Sequence, residues 1–315
     1  MVQIEHSKQG AVGQDGASSR RVFDDITVVI PTVGRPILRK CLQSVISGKV
    51  LPARIVIVDQ GDNPAVADWV DDIKGVGLDV FHLRSTERSP ASARNRGIEQ
   101  VQTPFMATID DDCMAEDDWL EKLELHLQKD PETIVTGRVL LAGNRLLSTS
   151  ATLPRIASDT PRLTRVPSIR HPFQLSAANM GISLRIAQRI GKFDEALFTA
   201  EDIDWGHRAL HAGIPIRYAP EVTVHHYHWR DETQTVSNYR AYAEGLGAFY
   251  GKYLRRGEWS MALRIALSLF RGARSVFYGV INKDHNRRVR GLANVIWLLP
   301  GVVSGFLNLG RHRER

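Results

Sequence analysis

The sequence is poor in cysteine and begins without an apolar run. Its 315 residues include only Cys41 and Cys113, which fit neither a metal-binding spacing nor a disulfide framework, so a reducing compartment is the simpler interpretation. Residues 1–22 are rich in Ser, Gly, Gln and charge, and they lack the basic start and apolar stretch of a secretory signal. We therefore expect residues 1–24 to form a disordered tail and the folded part to stay in the cytoplasm.

The excess of positive charge is confined to one end of the chain. The formal net charge is +6, from 41 Lys+Arg and 35 Asp+Glu. Residues 252–315 hold 13 of these basic residues but only 3 of the acidic ones, so the remainder is slightly acidic. An anionic partner is therefore expected only at the C-terminal segment, and we expect no nucleic-acid partner.

The hydrophobic pattern of the first half predicts an α/β fold. Short apolar or β-branched runs predict four strands, at residues 26–31, 55–59, 78–83 and 105–110. Apolar residues at helical spacing predict helices between them, at residues 36–47, 68–73 and 91–100. Strands that alternate with helices imply right-handed βαβ units and a parallel sheet.

The alternation of strands and helices weakens beyond Pro131. The interval 137–147 predicts strand and turn, and the Ser/Thr-rich interval 148–170 predicts a loop near the site. Further predicted elements are helices at residues 182–190 and 202–212 and strands at residues 216–219 and 222–226.

Polar side chains follow three of the predicted strands. Pro31–Thr32, Asp59 and Asp110 stand where these strands end, and ligands of parallel sheets bind beyond the carboxyl ends of strands. Three adjacent carboxylates, Asp110 to Asp112, repel one another and are costly to desolvate. They are either a solvated acidic turn or oxygen ligands for a hard divalent cation that also binds a diphosphate.

Two downstream clusters each have two interpretations. Glu201 to Asp204 supply charge favourable at a helix N-terminus, or a carboxylate that takes a proton from an attacking hydroxyl. His225-His-Tyr-His228 belongs to packing or surface, or supplies a metal ligand. Strand alternation places His226 and His228 on one face and His225 on the other.

Several pieces of the sequence, in order and spacing, resemble the inverting family 2 glycosyltransferases over roughly residues 25–230. The pieces are Val28-Val-Ile-Pro-Thr32, Ile55-Val-Ile-Val-Asp59, Ala93-Arg-Asn-Arg-Gly-Ile98, Ile109-Asp-Asp-Asp112, Asn179-Met-Gly-Ile-Ser183, Gly191-Lys-Phe-Asp194, Glu201-Asp-Ile-Asp204, Arg208, Gly213, Pro220 and His226. The resemblance implies the GT-A fold, a Rossmann-like, mixed and mainly parallel sheet flanked by helices, and a hexosyl or deoxyhexosyl transfer.

The resemblance also implies roles for single residues. The nucleotide-sugar donor would be bound by Pro31, Thr32, Arg35, Asp59, Arg94, Asp110 and Asp111, with Asp59 near the base. The cofactor would be Mn²⁺ or Mg²⁺, held by Asp110, Asp112 and His226, or by His225 after a one-residue slip. The catalytic base would be Asp202 with Glu201 beside it, and the acceptor side would include Asn179, Asp204 and Trp205.

The loop after the first strand departs from the family pattern. It reads Thr32-Val-Gly-Arg-Pro36 where many relatives are more polar, so either Arg35 replaces donor contacts or the loop has a different shape. A nucleotidyltransferase is an alternative function, but it needs a glycine-rich basic loop at this place, and the sequence has one glycine. A catalytically silent membrane-bound scaffold is another, and the presence of Asp202, His226 and the aspartate triplet together argues against it.

Residues 231–315 form the third predicted part, a basic, amphipathic or hydrophobic helical segment. Residues 258–280 predict an amphipathic helix whose polar stripe contains Arg264, Ser268, Arg271 and Ser275. Residues 291–310 are uncharged and flanked by arginines, which leaves three alternatives: interfacial or re-entrant contact, a membrane span, or packing on protein. We expect a peripheral protein on the inner face of the cell membrane, with a glycan or lipid-linked acceptor and a role in polysaccharide or glycolipid assembly.

Overall fold

The computed structural model describes most of the chain, over residues 4–5, 20–75, 77–142, 157–169, 175–227 and 232–308. The strands in these residues are β1 (Ile4–Glu5), β2 (Arg20–Thr32), β3 (Val50–Asp59), β4 (Asp79–Arg84), β5 (Phe105–Ile109), β6 (Cys113–Ala115), β7 (Ile134–Leu141), β8 (Arg162–Thr164), β9 (Asn179–Ser183) and β10 (Ile216–His226). The helices there are α1 (Leu38–Ile46), α2 (Ala65–Lys74), α3 (Pro90–Glu99), α4 (Trp119–Lys129), α5 (Leu184–Ile190), α6 (Glu201–His211), α7 (Glu232–Arg255), α8 (Ser260–Ile281) and α9 (His285–Phe306).

All ten strands belong to one mixed sheet. The order along the sheet is β4-β3-β2-β5-β9-β7-β10-β6, with β1 beside β2 and β8 beside β10. Strands β4, β3, β2 and β5 are parallel, and β9 is antiparallel to both β5 and β7. The α/β class predicted from the alternation is therefore confirmed, with a parallel half that carries the predicted strand ends.

Helices cover both faces of the sheet because the central strands are apolar on both sides. On β2, Val28 and Ile30 face α1, α2 and α4, whereas Val29 faces α3, α5 and α6. This opposite orientation follows from the two-residue period of a strand. Two buried cores result, one on each face, and the site lies at the edge between them, beyond the strand ends.

Several boundaries differ from the sequence prediction. Strand β2 begins at Arg20, inside the predicted tail of residues 1–24; the rest of that tail, apart from Ile4–Glu5, lies outside the described residues. The predicted helix at 182–190 begins only at Leu184, because the preceding residues pair with β5 and β7. The two strands predicted at 216–226 form the single strand β10, which has a bulge between Ala219 and Thr223. The predicted loop at 148–170 lies partly outside the described residues.

The three C-terminal helices pack against α6 and against one another. Ile203 of α6 lies in a third apolar cluster with Phe249, Tyr250 and Tyr253 of α7. Helices α7 and α9 approach closely at glycines; a Cβ added at Gly301 would lie 2.2 Å from the carbonyl oxygen of Glu244. Small residues at such contacts let two helix backbones come together, as is common among membrane helices.

A buried ion pair joins α7 to α6 and to the segment that precedes α6. Lys252 of α7 donates to Asp194 at 2.8 Å and also contacts the fully buried Asp204 of α6. The Tyr253 hydroxyl donates to Asp204 Oδ1 at 3.0 Å. A buried carboxylate is costly without its partners, so these contacts hold α7 in register with α6.

Lys252→Met is expected to lower the free energy of unfolding by about 3 kcal/mol, because it leaves Asp204 buried with less compensation. Chemical denaturation monitored by circular dichroism would measure this loss. Lys192→Met is the matched control, since Lys192 makes an exposed pair with Glu99, and it should change stability little. Equal stability of the two variants would show that the Lys252 pair does not fasten the helices.

Candidate active site

The ends of β2, β3 and β5 bring the predicted donor-site residues to one edge of the sheet. Thr32 lies opposite Asp59 in the register of β2 and β3, and Pro31 precedes it. The Thr32 hydroxyl donates to Asp111 Oδ2 at 2.6 Å, which ties the end of β2 to the aspartate triplet after β5. Residues far apart in the chain thus form one surface beyond the strand ends.

Asp59 is fully buried and held by two cationic or polar neighbours. Arg84 Nη1 donates to Asp59 Oδ2 at 2.8 Å, and His82 Nε2 lies 3.3 Å from the same oxygen. The backbone N–H of Gly61 donates to Asp59 Oδ1 at 2.9 Å. Sequence reasoning missed Arg84, although its place at the end of a predicted strand was a usable signal, because the register of β3 and β4 pairs it with Asp59.

Arg35 neutralises the inner two carboxylates of the triplet. Its Nη1 lies 2.9 Å from Asp111 Oδ1 and 3.5 Å from Asp112 Oδ2. Burial raises the pKa of Asp111 to about 6, while Arg35 and the Thr32 hydroxyl act in the opposite direction. Asp111 therefore holds the loop that carries Arg35 at the site, and Asp112 lies buried beside it.

Strand β10 places the side chain of His226 beside Asp112. It pairs antiparallel with β6, which places His226 opposite Cys113, and the Tyr227 N–H donates to the Asp112 carbonyl oxygen at 2.7 Å. His226 Nε2 lies 3.5 Å from Asp112 Oδ1, whereas His225 Nε2 contacts Glu116 Oε1 at 3.1 Å. The alternation of the strand thus directs His226, and not His225, to the triplet; His228 lies outside the described residues.

Two of the three predicted metal ligands, Asp112 and His226, lie close together. Two neighbouring ligands of one octahedral ion, each about 2.1 Å from it, lie about 3 Å apart. The separation of 3.5 Å between His226 Nε2 and Asp112 Oδ1 is near that value and long for a hydrogen bond. Asp110, the third predicted ligand, accepts a hydrogen bond from Arg94 on Oδ1.

Arg94 of α3 connects the triplet to the start of α6. Its Nη2 donates to Asp110 Oδ1 and its Nη1 to Glu201 Oε1, both at 2.7 Å. The guanidinium is buried, and the surrounding carboxylates raise the pKa of Arg94 above its ordinary value despite the burial. The prediction placed Arg94 at the nucleotide site, and the structure places it between the predicted metal side and the predicted base.

Glu201 and Asp202 have different environments although they are adjacent. Glu201 is buried and paired with Arg94, and burial raises its pKa. Asp202 is half-buried, and its Oδ1 accepts a hydrogen bond from the Ile203 N–H at 2.8 Å. Burial also raises the pKa of Asp202, with Arg94 opposing, so Asp202 is a stronger base than an ordinary carboxylate.

The three residues expected on the acceptor side lie in the interior, which corrects that prediction. Asn179 is fully buried, where its amide donates to the carbonyl groups of Arg138 and Val222. Trp205 is also buried and donates from Nε1 to the Gly191 carbonyl oxygen at 2.7 Å. Asp204 is the partner of Lys252. Each has its polar atoms engaged within the protein, so all three have structural roles.

Residues 27–174 match the family model described as Glycosyl transferase family 2. This stretch of the chain is therefore similar to the family 2 glycosyltransferases. It contains Thr32, Asp59, Arg94 and the aspartate triplet, while Glu201, Asp202 and His226 follow it in the chain.

Curated proteins that are similar to this chain are named glycosyltransferases. The chain is 29% identical over 209 residues to the pre-mycofactocin glycosyltransferase of Mycobacterium tuberculosis, an alignment that covers 65% of this chain and 43% of that protein. It is 24% identical over 208 residues to glycosyltransferase AglE of Haloferax volcanii, covering 62% and 65% of the two chains. The chain thus spans less than half the length of the first of these relatives.

Solved structures show the same fold at low sequence identity. Mannosyltransferase PcManGT from Pyrobaculum calidifontis, in complex with GDP-Man and Mn²⁺, superposes with a TM-score of 0.62 at 14% identity, covering 92% of this chain and 88% of that one. Residues 1–349 of TarS from S. aureus, in complex with UDP-GlcNAc, give a TM-score of 0.55 at 13% identity, covering 92% and 93%. The predicted GT-A fold is confirmed by these neighbours.

Asp112→Asn is expected to weaken Mn²⁺ binding by about tenfold or more, because the amide lacks the charge of a ligating carboxylate. Titration of the purified protein with Mn²⁺, followed by electron paramagnetic resonance of the free ion, would measure the affinity. Asp117→Asn is the matched control five residues along the chain, at an exposed position, and should bind Mn²⁺ like the wild type. If Asp112→Asn bound Mn²⁺ as tightly as the control, Asp112 would not be a ligand.

Proposed function

We propose that this protein transfers a sugar from a nucleotide-diphosphate-sugar donor to an acceptor hydroxyl with inversion at the anomeric carbon. The observation that carries the proposal is the pair of hydrogen bonds from Arg94 to Asp110 and to Glu201. Through them one guanidinium joins the predicted metal ligand Asp110 to the helix start that carries Asp202. The names of the structural neighbours support it, since one binds GDP-Man with Mn²⁺ and the other UDP-GlcNAc.

The donor side combines recognition with charge neutralisation. Asp59 and Thr32 at the strand ends would contact the nucleoside, and Arg35 would turn from Asp111 and Asp112 toward the diphosphate. Asp112 and His226, with Asp110 beside them, would hold Mn²⁺ or Mg²⁺. A bound divalent ion would neutralise the charge that develops on the leaving diphosphate.

The acceptor side needs a base that can take one proton. Asp202 is half-buried and near the positive charge of Arg94, and its raised pKa favours proton uptake from a hydroxyl. As the acceptor oxygen bonds to the anomeric carbon, its proton passes to the Asp202 carboxylate and the sugar–phosphate bond breaks on the opposite face. A single displacement of this kind inverts the centre. Glu201 is paired with Arg94 and positions its guanidinium between Asp110 and Asp202.

Asp202→Asn is expected to retain donor binding but to lower the rate of transfer by about 10²–10⁴-fold, because the amide cannot accept the proton. The measurement is nucleotide diphosphate release from a panel of UDP-, GDP- and dTDP-sugars with Mn²⁺ or Mg²⁺ and a lipid-linked glycan acceptor. Asp72→Asn, at an exposed carboxylate on α2, is the control and should turn over normally. Normal turnover by Asp202→Asn would remove the base assignment, and a panel without turnover by the wild type would argue against the function itself.

We also propose that the C-terminal helices attach the protein to an anionic membrane surface on the cytoplasmic side. Helix α9 is long and apolar enough to cross a membrane, and only 28% of its most apolar window is buried. One exposed face of α9 is apolar along its length, at Leu292, Ile296, Leu299, Val303 and Phe306. A soluble protein rarely exposes so continuous an apolar face, so lipid is the partner that this face fits.

Helix α8 supports the same proposal and corrects one detail of the sequence prediction. Of the predicted polar stripe, Arg264 and Ser268 are buried against the neighbouring helices. Several of the side chains that α8 exposes are apolar, among them Leu263, Phe270 and Phe277. The exposed Arg274 lies one turn from both phenylalanines on the same face, and Arg271 is exposed beside them. This face of apolar and basic side chains is therefore the one proposed to meet an anionic lipid surface, with the arginines at the headgroups.

Phe270→Ser/Phe277→Ser is expected to lower vesicle binding by about tenfold or more, since burying each phenylalanine contributes about 2 kcal/mol. Flotation of the full-length protein with vesicles containing anionic lipid would measure the bound fraction. Phe81→Ser is the matched control, because Phe81 is exposed on β4, away from the C-terminal helices. Equal flotation of the two variants, or a wild type that stays with the soluble fraction, would contradict membrane attachment.

A further inference from the structure

A second group of potential metal ligands lies away from the nucleotide site. His207 and His211 are one turn apart in the second half of α6, and Glu258 follows α7 in the turn before α8. The distance from His207 Nε2 to Glu258 Oε2 is 2.9 Å, and the distance from His211 Nε2 to Glu258 Oε1 is 3.7 Å. One ligand atom from each residue lies within 4.8 Å of the others.

We propose that His207, His211 and Glu258 bind a Zn²⁺ ion that fastens α6 to the C-terminal helices. Side chains four residues apart project from the same face of a helix, which suits two imidazoles to one ion. Zn²⁺ takes nitrogen and carboxylate oxygen ligands at about 2.0–2.2 Å in tetrahedral geometry, so neighbouring ligands lie about 3.3–3.6 Å apart. The separations of 2.9 and 3.7 Å lie on either side of that range, and small side-chain rotations would bring both into it.

The surroundings of the cluster favour a bound metal. The His207 side chain is 3% exposed, and its ring packs edge-on against Tyr253 at 4.4 Å and Phe249 at 5.3 Å. Aromatic neighbours fix the orientation of a ligating ring and exclude competing water. His211, at 53% exposed, supplies an entry path from solvent.

The positive charge of Arg264 near the cluster favours an anionic ligand among the three. Arg264 of α8 is buried, and the negative charge of Glu258 acts to raise the pKa of Arg264. A divalent ion near this guanidinium requires an anionic ligand, and Glu258 would supply it.

The position of the cluster on α6 distinguishes it from the nucleotide site. The helix begins at Glu201, next to the proposed base Asp202, and ends at His211. With a rise of about 1.5 Å per residue, His211 lies about 13 Å along the helix axis from Asp202. A metal at the far end would hold the helix that carries the base, without contact with donor or acceptor.

Zinc titration of the full-length protein in the Asp112→Asn background tests the proposal, because that background weakens metal binding at the nucleotide site. After removal of metals with a chelator, Zn²⁺ affinity is measured by competition with a fluorescent indicator, and Co²⁺ is used as a coloured substitute for Zn²⁺. The probe variants are His211→Ala and Glu258→Gln. His126→Ala is the control, since His126 and Glu221 form a surface pair of similar geometry, 2.7 Å apart.

We expect His211→Ala and Glu258→Gln each to weaken Zn²⁺ binding by about tenfold or more and to lose the visible absorption of tetrahedral Co²⁺. His126→Ala should retain both. Added Zn²⁺ should also raise the melting temperature of the background protein and not that of His211→Ala, whose fold is checked by circular dichroism without metal. Equal Zn²⁺ affinity in the background protein and both probe variants would overturn the proposal, and would leave Asp202 and the transfer assay unaffected.

Discussion

The Arg94 guanidinium is the contact on which the proposed site depends. It is buried between Asp110 after β5 and Glu201 at the start of α6, and it donates to both carboxylates. Without it, two carboxylates from distant parts of the chain would be held near each other and near Asp202 with less compensating charge. Breaking a buried pair of this kind typically costs about 3–5 kcal/mol. The same contact that stabilises the edge of the sheet therefore also sets the distance between Asp110 and the start of α6, which carries the proposed base Asp202.

Arg35 is a second arginine that pairs with carboxylates of the aspartate triplet. Arg35 contacts Asp111 and Asp112 from the loop after β2, so an arginine pairs with the triplet on each side. The two arginines differ in exposure, since Arg94 is buried and Arg35 is half-buried. In the proposed function, Arg94 keeps its two carboxylates, and Arg35 would exchange a carboxylate for a phosphate.

The C-terminal helices extend the fold by two different kinds of interaction. Toward α6 they present buried polar contacts, led by Lys252 with Asp204, which favour one registration of the helices. Away from α6 they present apolar side chains, and between themselves they pack through glycines. Apolar side chains on the outside are what a segment that meets lipid needs. Under the proposed membrane attachment, this exterior would face lipid while the inner side of the helices holds α6.

The sequence by itself determined the α/β class, the strands that lead to Thr32, Asp59 and Asp110, and the helix predicted at 202–212, because local periodicity and strand-end residues encode them. It did not distinguish His225 from His226, and it placed Asn179, Asp204 and Trp205 on the acceptor side. Only the tertiary structure decided these points, because they depend on the pairing of β6 with β10 and on the packing of α6 against α7. The burial of Arg264 and Ser268 was also decided by tertiary structure. Helical spacing shows that they share one face of α8, but the packing of neighbouring helices decides whether that face is buried or exposed.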